Sequence, residues 1–237
     1  MSVRLNIMWI WYLMPICLTI WFTVGIWIVY AIAVTNGSVD ITAGVPYISI
    51  CGAFPPQSCL FGQVLNIGAF FAAWIVVLRF QQLRDYGYNS HLNSASLVMG
   101  CLCALGTSIA GNVQISVQEE AHLVGAFLVF VAGNVYFWMQ SVLTYKVKSS
   151  HDGHWVAPTR FLLSAACTAL IVIMVVFFTE NMKSASAICE WIVAMIIFVL
   201  IGLFSVEFWH FDTVTLHVLK RKITIPNEMQ VSTIALY

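Results

Sequence analysis

Two cysteines in a polar stretch are the first residues whose types and spacing could do chemistry. Cys51 and Cys59 are close enough along the chain for a disulfide that closes a short loop. Gly52 permits a sharp reversal between them, and Pro55-Pro56 cannot sit inside a helix. Each proline also biases the residue before it towards extended geometry. The stretch is therefore predicted to be a non-helical loop that carries either a disulfide or two free thiols.

Two carboxylates within an apolar segment are the next candidates. Glu190 and Glu207 both lie in the last long apolar run of the chain, and ionisable groups inside a membrane are costly and functional candidates by default. For Glu190 we favour an interhelical hydrogen bond or an interfacial position over a role in transport. Glu207 lies near the other end of the run, where it can reach the interface or meet Arg79 or Arg160.

Amide side chains recur within the other apolar runs. In lipid such groups pair across helices, with a modest average strength of about 0.6 kcal/mol. A transporter would more often show several charges facing one cavity, or interrupted helices. We therefore interpret the amides, together with nearby glycines, as packing contacts between helices; they are Gln63, Asn66, Asn112, Asn134 and Gln140.

Motifs for catalysis, metal or cofactor binding are not evident in the sequence. His151 and His154 are three residues apart, but no thiol accompanies them, so a solvated loop is the better interpretation. There is no phosphate-binding loop, nucleophile elbow, zinc-protease motif or dinucleotide fingerprint. We predict no catalytic residues, no metal and no cofactor.

The composition indicates what kind of elements must position these residues. The chain is 61% hydrophobic and 8% charged, with mean hydropathy +0.90, whereas soluble domains carry about 25% charged residues. This is too little charge for a water-soluble surface, so the chain is predicted to be an integral membrane protein in contact with lipids. Its formal net charge is zero, and nothing suggests a nucleic-acid partner.

Six apolar runs are long enough for membrane helices, which need about 20 residues each. The first run is far longer than the roughly 7–15 apolar residues of a signal peptide, so we expect it to be retained. The fold class is an all-α, six-helix membrane bundle in one domain, 1–237, with a tail at 209–237. The predicted spans are 7–34, 59–80, 94–113, 122–145, 159–179 and 187–208.

The distribution of basic residues predicts the orientation of the bundle. With the N-terminus in the cytosol, nine basic residues fall on the cytosolic side and Lys183 alone on the other, as the positive-inside rule expects. An even number of spans then places both termini in the cytosol. The nine are Arg4, Arg79, Arg84, Lys146, Lys148, Arg160, Lys220, Arg221 and Lys222.

This orientation places the loop with the two cysteines on an extracytoplasmic side, where disulfides persist. A Cys51–Cys59 disulfide is therefore the expected state. Asn36-Gly37-Ser38 is a glycosylation sequon on the same side, although Asn36 sits so close to the first helix that its occupancy stays open.

Several short motifs, in order along the chain, carry a family resemblance. The first-loop residues Pro46, Tyr47, Gly52, Pro55 and Pro56, with both cysteines, resemble the signature of the Frag/DRAM/Sfk-type family of six-span membrane proteins. That order of Pro, Cys and aromatic residues is not demanded by a generic membrane helix. Later matching pieces are Leu65-Asn66-Ile67-Gly68, Gly111-Asn112-Val113-Gln114, His122 with Gly125-Ala126, and Cys189-Glu190-Trp191.

The resemblance implies a non-enzymatic regulator or scaffold that modulates macroautophagy and cell survival. The compartments it implies are the plasma membrane and endosomal, lysosomal or autophagosomal membranes, and the implied partners are proteins of autophagy or endosomal trafficking. Alternatives left open are a lipid-handling transporter, a channel or mechanosensitive subunit, and a plasma-membrane adaptor for a phosphoinositide kinase. Self-association is also left open.

Overall fold

The computed structural model describes residues 8–147 and 155–209, and within these ranges its regular secondary structure is entirely helical. The helices are α1 (Met8–Thr35), α2 (Ile48–Cys51), α3 (Gln57–Asp85), α4 (His91–Asn112), α5 (Glu119–Phe127), α6 (Gly133–Val147), α7 (Val156–Thr179), α8 (Lys183–Gly202) and α9 (Phe204–Phe208). A π-helical segment, Leu128–Ala132, joins α5 to α6. Outside the described residues lie Arg4, Lys148, His151, His154, the Lys220–Lys222 triplet and the tail beyond Trp209.

Six helical stretches in the described part of the chain are long and apolar enough to cross a membrane, which confirms the predicted number. Two of them are composite: α5, the π-helical segment and α6 form one span, and α8 continues into α9. The spans are Ile10–Thr35, Gln57–Asp85, His91–Asn112, Glu119–Val147, Val156–Thr179 and Lys183–Phe208.

The helix ends differ from the predicted ones by a few residues, for identifiable local reasons. α4 begins three residues early because the Ser90 hydroxyl accepts the backbone N–H of Asn93 at 3.2 Å and so caps the helix. α7 begins at Val156, before the predicted start at residue 159, and so includes Pro158. A proline is tolerated in the first turn, where its missing N–H has no helical partner to lose.

The six spans pack in a closed order in which each contacts the next along the chain and the last returns to the first. α1 packs on α3, α3 on α4, α4 on the α5–α6 span, α6 on α7, α7 on α8, and both α8 and α9 on α1. Large apolar side chains fill the centre, and Phe22 of α1 stacks on Phe198 of α8 with ring centroids 5.0 Å apart. The outer face of α7 is apolar and exposed, for example at Leu162 and Val172, as a lipid-facing surface requires.

Small residues bring neighbouring helices into backbone contact, as the sequence predicted. A Cβ placed on Gly106 of α4 would lie 2.7 Å from the Gly125 carbonyl oxygen of α5. Gly62 and Gly111 make a similar approach between α3 and α4, where an added Cβ would lie 3.0 Å from a backbone oxygen. Side chains at these positions would force the helices apart, so the glycines determine how closely they pack.

Candidate functional site

The residues singled out from the sequence form polar clusters at opposite ends of the bundle. One cluster joins the first loop to α8; we name residues 46–61 the capping loop. The other joins the ends of α3 and α6, the start of α7 and the end of the last span; we name its four central residues the charged cluster. These are Arg79, Thr144, Arg160 and Glu207.

Glu190 and Trp191 of α8 hold the capping loop in place. A carboxylate oxygen of Glu190, Oε2, accepts the backbone N–H of Ile48 at 2.8 Å, at the start of the short helix α2. The Trp191 indole N–H donates to the Pro46 carbonyl oxygen at 2.9 Å. Two motifs far apart in sequence, Pro46-Tyr47-Ile48 and Cys189-Glu190-Trp191, are thus direct partners. Glu190 makes a hydrogen bond, as expected, but its partner is the backbone of the first loop and not another membrane span.

The predicted disulfide is absent from the structure, because both cysteines are free thiols. Cys51 is buried beneath the capping loop, whereas Cys59 lies exposed in the first turn of α3, so the two occupy different environments. Burial raises the pKa of the Cys51 thiol to about 12, and the nearby Glu190 carboxylate adds to the effect. A thiol held protonated in this way is a poor nucleophile, and Cys51 acts here as a small packed side chain.

The capping loop is also more helical than the sequence indicated. Residues 48–51 form α2, and α3 begins at Gln57, immediately after the cis Pro55-Pro56 bond. Gly52 has a φ of −88°, which any residue can adopt, so the predicted conformational reason for a glycine is wrong. The Phe61 ring instead lies directly against Gly52, where a Cβ would collide with it.

The sequon residue Asn36 already has a structural partner. Its amide nitrogen Nδ2, the atom that would carry a glycan, donates to Oε1 of the fully buried Gln57 at 2.8 Å. Its Oδ1 accepts the Ser38 backbone N–H at 3.0 Å. These bonds tie the end of α1 to the start of α3. The sequence analysis did not identify Gln57 as a partner of Asn36. Its position directly after two prolines was the available signal that this amide could bond at the start of a helix.

The charged cluster is an ion-pair network with no access to solvent at its centre. Arg160 binds Glu207 through both terminal nitrogens, Nη1 to Oε1 at 2.9 Å and Nη2 to Oε2 at 2.7 Å. Arg79 Nη2 lies 2.6 Å from Glu207 Oε1, so one carboxylate serves two guanidinium groups. Both arginines and the glutamate are at most 1% exposed. Of the two predictions for Glu207, the meeting with Arg79 and Arg160 is confirmed.

Neutral side chains complete the network around these charges. The Thr144 hydroxyl donates to Glu207 Oε1 at 2.7 Å and accepts from Arg160 at 2.6 Å. Gln82 accepts from Arg79 and donates to the Glu207 backbone carbonyl, while Gln140 accepts from the Nε of Arg79. The sequence had indicated Gln140 only as packing and had not identified Thr144 or Gln82, because neither residue type is unusual at the end of a span.

Three of the four remaining intramembrane amides pair between helices. Asn66 of α3 and Asn112 of α4 exchange hydrogen bonds at 2.8 and 2.9 Å. Asn134 of α6 donates to the Thr168 hydroxyl of α7 at 2.7 Å. Gln63 is exposed on the surface of the bundle. For Asn66, Asn112 and Asn134, the interpretation as contacts between helices is confirmed.

Neither end of the bundle brings together an obvious metal site. Within residues 8–147 and 155–209, no group of three or more His, Cys, Asp or Glu side chains is arranged to hold a metal ion. The polar groups described above instead bind one another and the backbone. Their arrangement fixes the capping loop at one end and joins four spans at the other.

Comparison with known proteins gives a consistent result over nearly the whole chain. Residues 10–211 match the family model described as the Frag1/DRAM/Sfk1/Cwh43P N-terminal domain. A relative from Xenopus tropicalis, "Modulator of macroautophagy TMEM150B", is 66% identical over 97% of this chain and 99% of its own length. The human protein of that name is 52% identical over 86% of this chain and 88% of its own.

A more distant relative carries a different name. "Transmembrane protein 150A" from Xenopus laevis is 35% identical over 87% of this chain and 86% of its own length. No solved structure matches.

Proposed function

Because this chain belongs to the Frag1/DRAM/Sfk1/Cwh43P family, we propose that it modulates macroautophagy from within a membrane, as a regulator and not as an enzyme. The observation that carries the proposal is the near full-length match to relatives named as modulators of macroautophagy. The matched family segment contains both the capping loop and the charged cluster. The proposed activity is recruitment of protein partners of autophagy or endosomal trafficking.

The capping loop is the surface that we propose for such recruitment. It is anchored at both ends of α2, by Glu190 and Trp191 on one side and by the packing of Phe61 against Gly52 on the other. Phe54 is exposed at its tip. A partner would meet a loop that is already ordered, so little conformational entropy would be lost on binding.

We also propose the orientation and compartments of the protein. The bias of basic residues supports cytosolic termini and an extracytoplasmic capping loop, and the family supports plasma-membrane, endosomal, lysosomal and autophagosomal locations. An epitope tag inserted after Thr42, in the exposed part of the first loop, should be labelled in intact cells on surface-resident protein. A C-terminal tag should be labelled only after permeabilisation, and the reverse pattern would overturn the orientation.

Autophagic flux, measured with and without a lysosomal inhibitor, tests the function. Cells that lack the protein would be rescued with graded amounts of wild type, of Trp191→Phe and of Trp155→Phe. Trp191→Phe keeps an aromatic ring but removes the donor to Pro46, whereas Trp155 is an exposed tryptophan away from the loop. We expect flux to follow the wild-type dose, Trp155→Phe to match wild type, and Trp191→Phe to rescue poorly.

Localisation read in the same cells separates two causes of a failed rescue. A Trp191→Phe protein that reaches the same membranes but does not restore flux supports the capping loop as the working surface. The proposed function would be contradicted if wild-type protein reached the same membranes but autophagic flux did not change with its dose.

A further inference from the structure

An apolar cavity of about 110 Å³ lies inside the bundle, directly beneath the capping loop, and is partly open to the outside. Its walls come from α1, α3, α4, the α5–α6 span and α8, with Phe22, Leu65, Ala126 and Ile197 among the lining side chains. Ile48 and Ser49 of α2 contribute to it from the loop side. Nearly all of the cavity surface is formed by apolar atoms. Neither the hydrogen bonds that anchor the capping loop nor the charged cluster explains why this space is left unfilled.

Two of the few polar side chains that line this cavity leave an atom without a partner. Glu190 uses Oε2 to accept the Ile48 N–H, and within the described part of the chain its Oε1 has no hydrogen bond. His122 bonds the Val113 carbonyl oxygen through Nδ1 at 2.6 Å. A carbonyl can only accept, so Nδ1 carries the proton and the Nε2 of a neutral ring is left as an acceptor. Both residues are more than nine-tenths buried.

The helix opposite α8 is irregular where it borders the same cavity. Val129 and Phe130 line it from the π-helical segment Leu128–Ala132. The Val129 carbonyl oxygen lies 3.7 Å from the Cys103 sulfur, which donates to it from α4. Single π-helical turns inside α-helices are frequent at functional sites, and two residues of this one line the cavity.

We propose that this cavity binds a membrane amphiphile that has a single hydroxyl headgroup and a narrow apolar body. The hydroxyl can donate to His122 Nε2 or Glu190 Oε1, and it can also accept from a protonated Glu190. An engineered apolar cavity of about 150 Å³ holds a benzene molecule, so this one takes a hydroxyl and the first few carbons. The rest of the body leaves through the opening, and two-chain lipids with bulky charged headgroups are excluded by size.

A photoreactive long-chain alcohol that carries an alkyne tag tests the proposal on the purified full-length protein in lipid nanodiscs. The control probes are a carboxylic acid and a plain hydrocarbon with the same chain and diazirine. We expect saturable labelling by the alcohol, reduced by unlabelled hexadecanol. We expect at least about fivefold less labelling by the hydrocarbon, which lacks the hydrogen bond. The labelled peptides should come from the walls of the cavity on α4 and α8.

Matched variants on one helix separate the cavity from the outer surface. Ala126→Phe fills the cavity, whereas Val124→Phe adds the same ring at an exposed position of α5. We expect Ala126→Phe to lose the saturable labelling and Val124→Phe to keep it.

Three results would overturn the proposal. They are equal labelling by the three probes, labelling confined to lipid-facing peptides, and undiminished labelling of Ala126→Phe. If Ala126→Phe fails to fold, the probe comparison and the peptide map on wild type still decide. The inference does not depend on the role in autophagy.

Discussion

Removing the carboxylate of the charged cluster should strongly destabilise the bundle. In Glu207→Gln the side chain keeps its shape and one acceptor oxygen, but the negative charge between Arg79 and Arg160 is lost. Arg160 then keeps Thr144 and at most the one remaining amide oxygen as acceptors, and it loses its bidentate ion pair. Because Arg160 is fully buried, water cannot replace that pair.

The magnitude follows from the cost of leaving a buried charge without its counter-ion. Breaking a buried pair by removing one partner costs about 3–5 kcal/mol. For a chain of 150–250 residues each kcal/mol shifts the melting temperature by about 2–4 °C. We therefore expect Glu207→Gln to melt at least about 6 °C below wild type. Arg160→Lys should also lose stability, because an ammonium cannot reproduce the two-pronged contact.

The assay is thermal unfolding of the purified protein in mild detergent, followed by the loss of the monodisperse peak in size-exclusion chromatography. Glu180→Gln is the matched control, because it makes the same change at an exposed position between α7 and α8. Surface substitutions usually fall within about 0.5 kcal/mol, so this variant should melt with wild type. A change of about 0.5 kcal/mol corresponds to a shift of about 2 °C in melting temperature. If Glu207→Gln melted within about 2 °C of Glu180→Gln, the network would not stabilise the fold and the reasoning would be refuted.

Three further predictions concern other contacts. In the native protein a membrane-permeant maleimide should modify Cys59 and spare Cys51, because Cys51 is buried and its pKa is raised to about 12. Mass spectrometry would contradict the structure if it found the two cysteines disulfide-bonded or equally modified. Gly125→Ala should lower the free energy of unfolding by about 1–3 kcal/mol through overpacking, since the added Cβ would lie 2.8 Å from a backbone nitrogen of α4. An unchanged melting temperature would show that the helices can separate freely. Asn66→Leu and Asn112→Leu should not be additive, because each removes the same reciprocal pair; a double-mutant cycle with no coupling would argue that the amides act independently.

The number and order of the spans could be predicted from the sequence because each depends on local composition. About 20 apolar residues in a row cannot be accommodated in water, whatever the rest of the chain does. The same locality explains the glycine and amide contacts, since such residues inside a membrane have few alternatives to packing against another helix. Helix ends were less accurate, since they depend on single caps such as Ser90.

The capping loop shows where local reasoning was insufficient. Spacing and an oxidising side favoured a Cys51–Cys59 disulfide, but a disulfide also needs the two side chains to face each other, and only the fold determines that. Gly52 was assigned to a turn, yet its importance comes from Phe61, nine residues later, which returns to pack against it. Neither relation is encoded in the spacing of neighbouring residues.

The sequence by itself therefore determined that this chain is a six-helix membrane protein, and through its motifs it determined the family. Only the tertiary structure decided that Glu190 anchors the capping loop, that Glu207 pairs with two arginines from different helices, and that a cavity lies beneath the capping loop. The physical reason is that membrane insertion depends on hydrophobicity summed over one segment. Hydrogen bonds, ion pairs and cavities depend instead on the distances between atoms far apart in the chain, which packing alone sets.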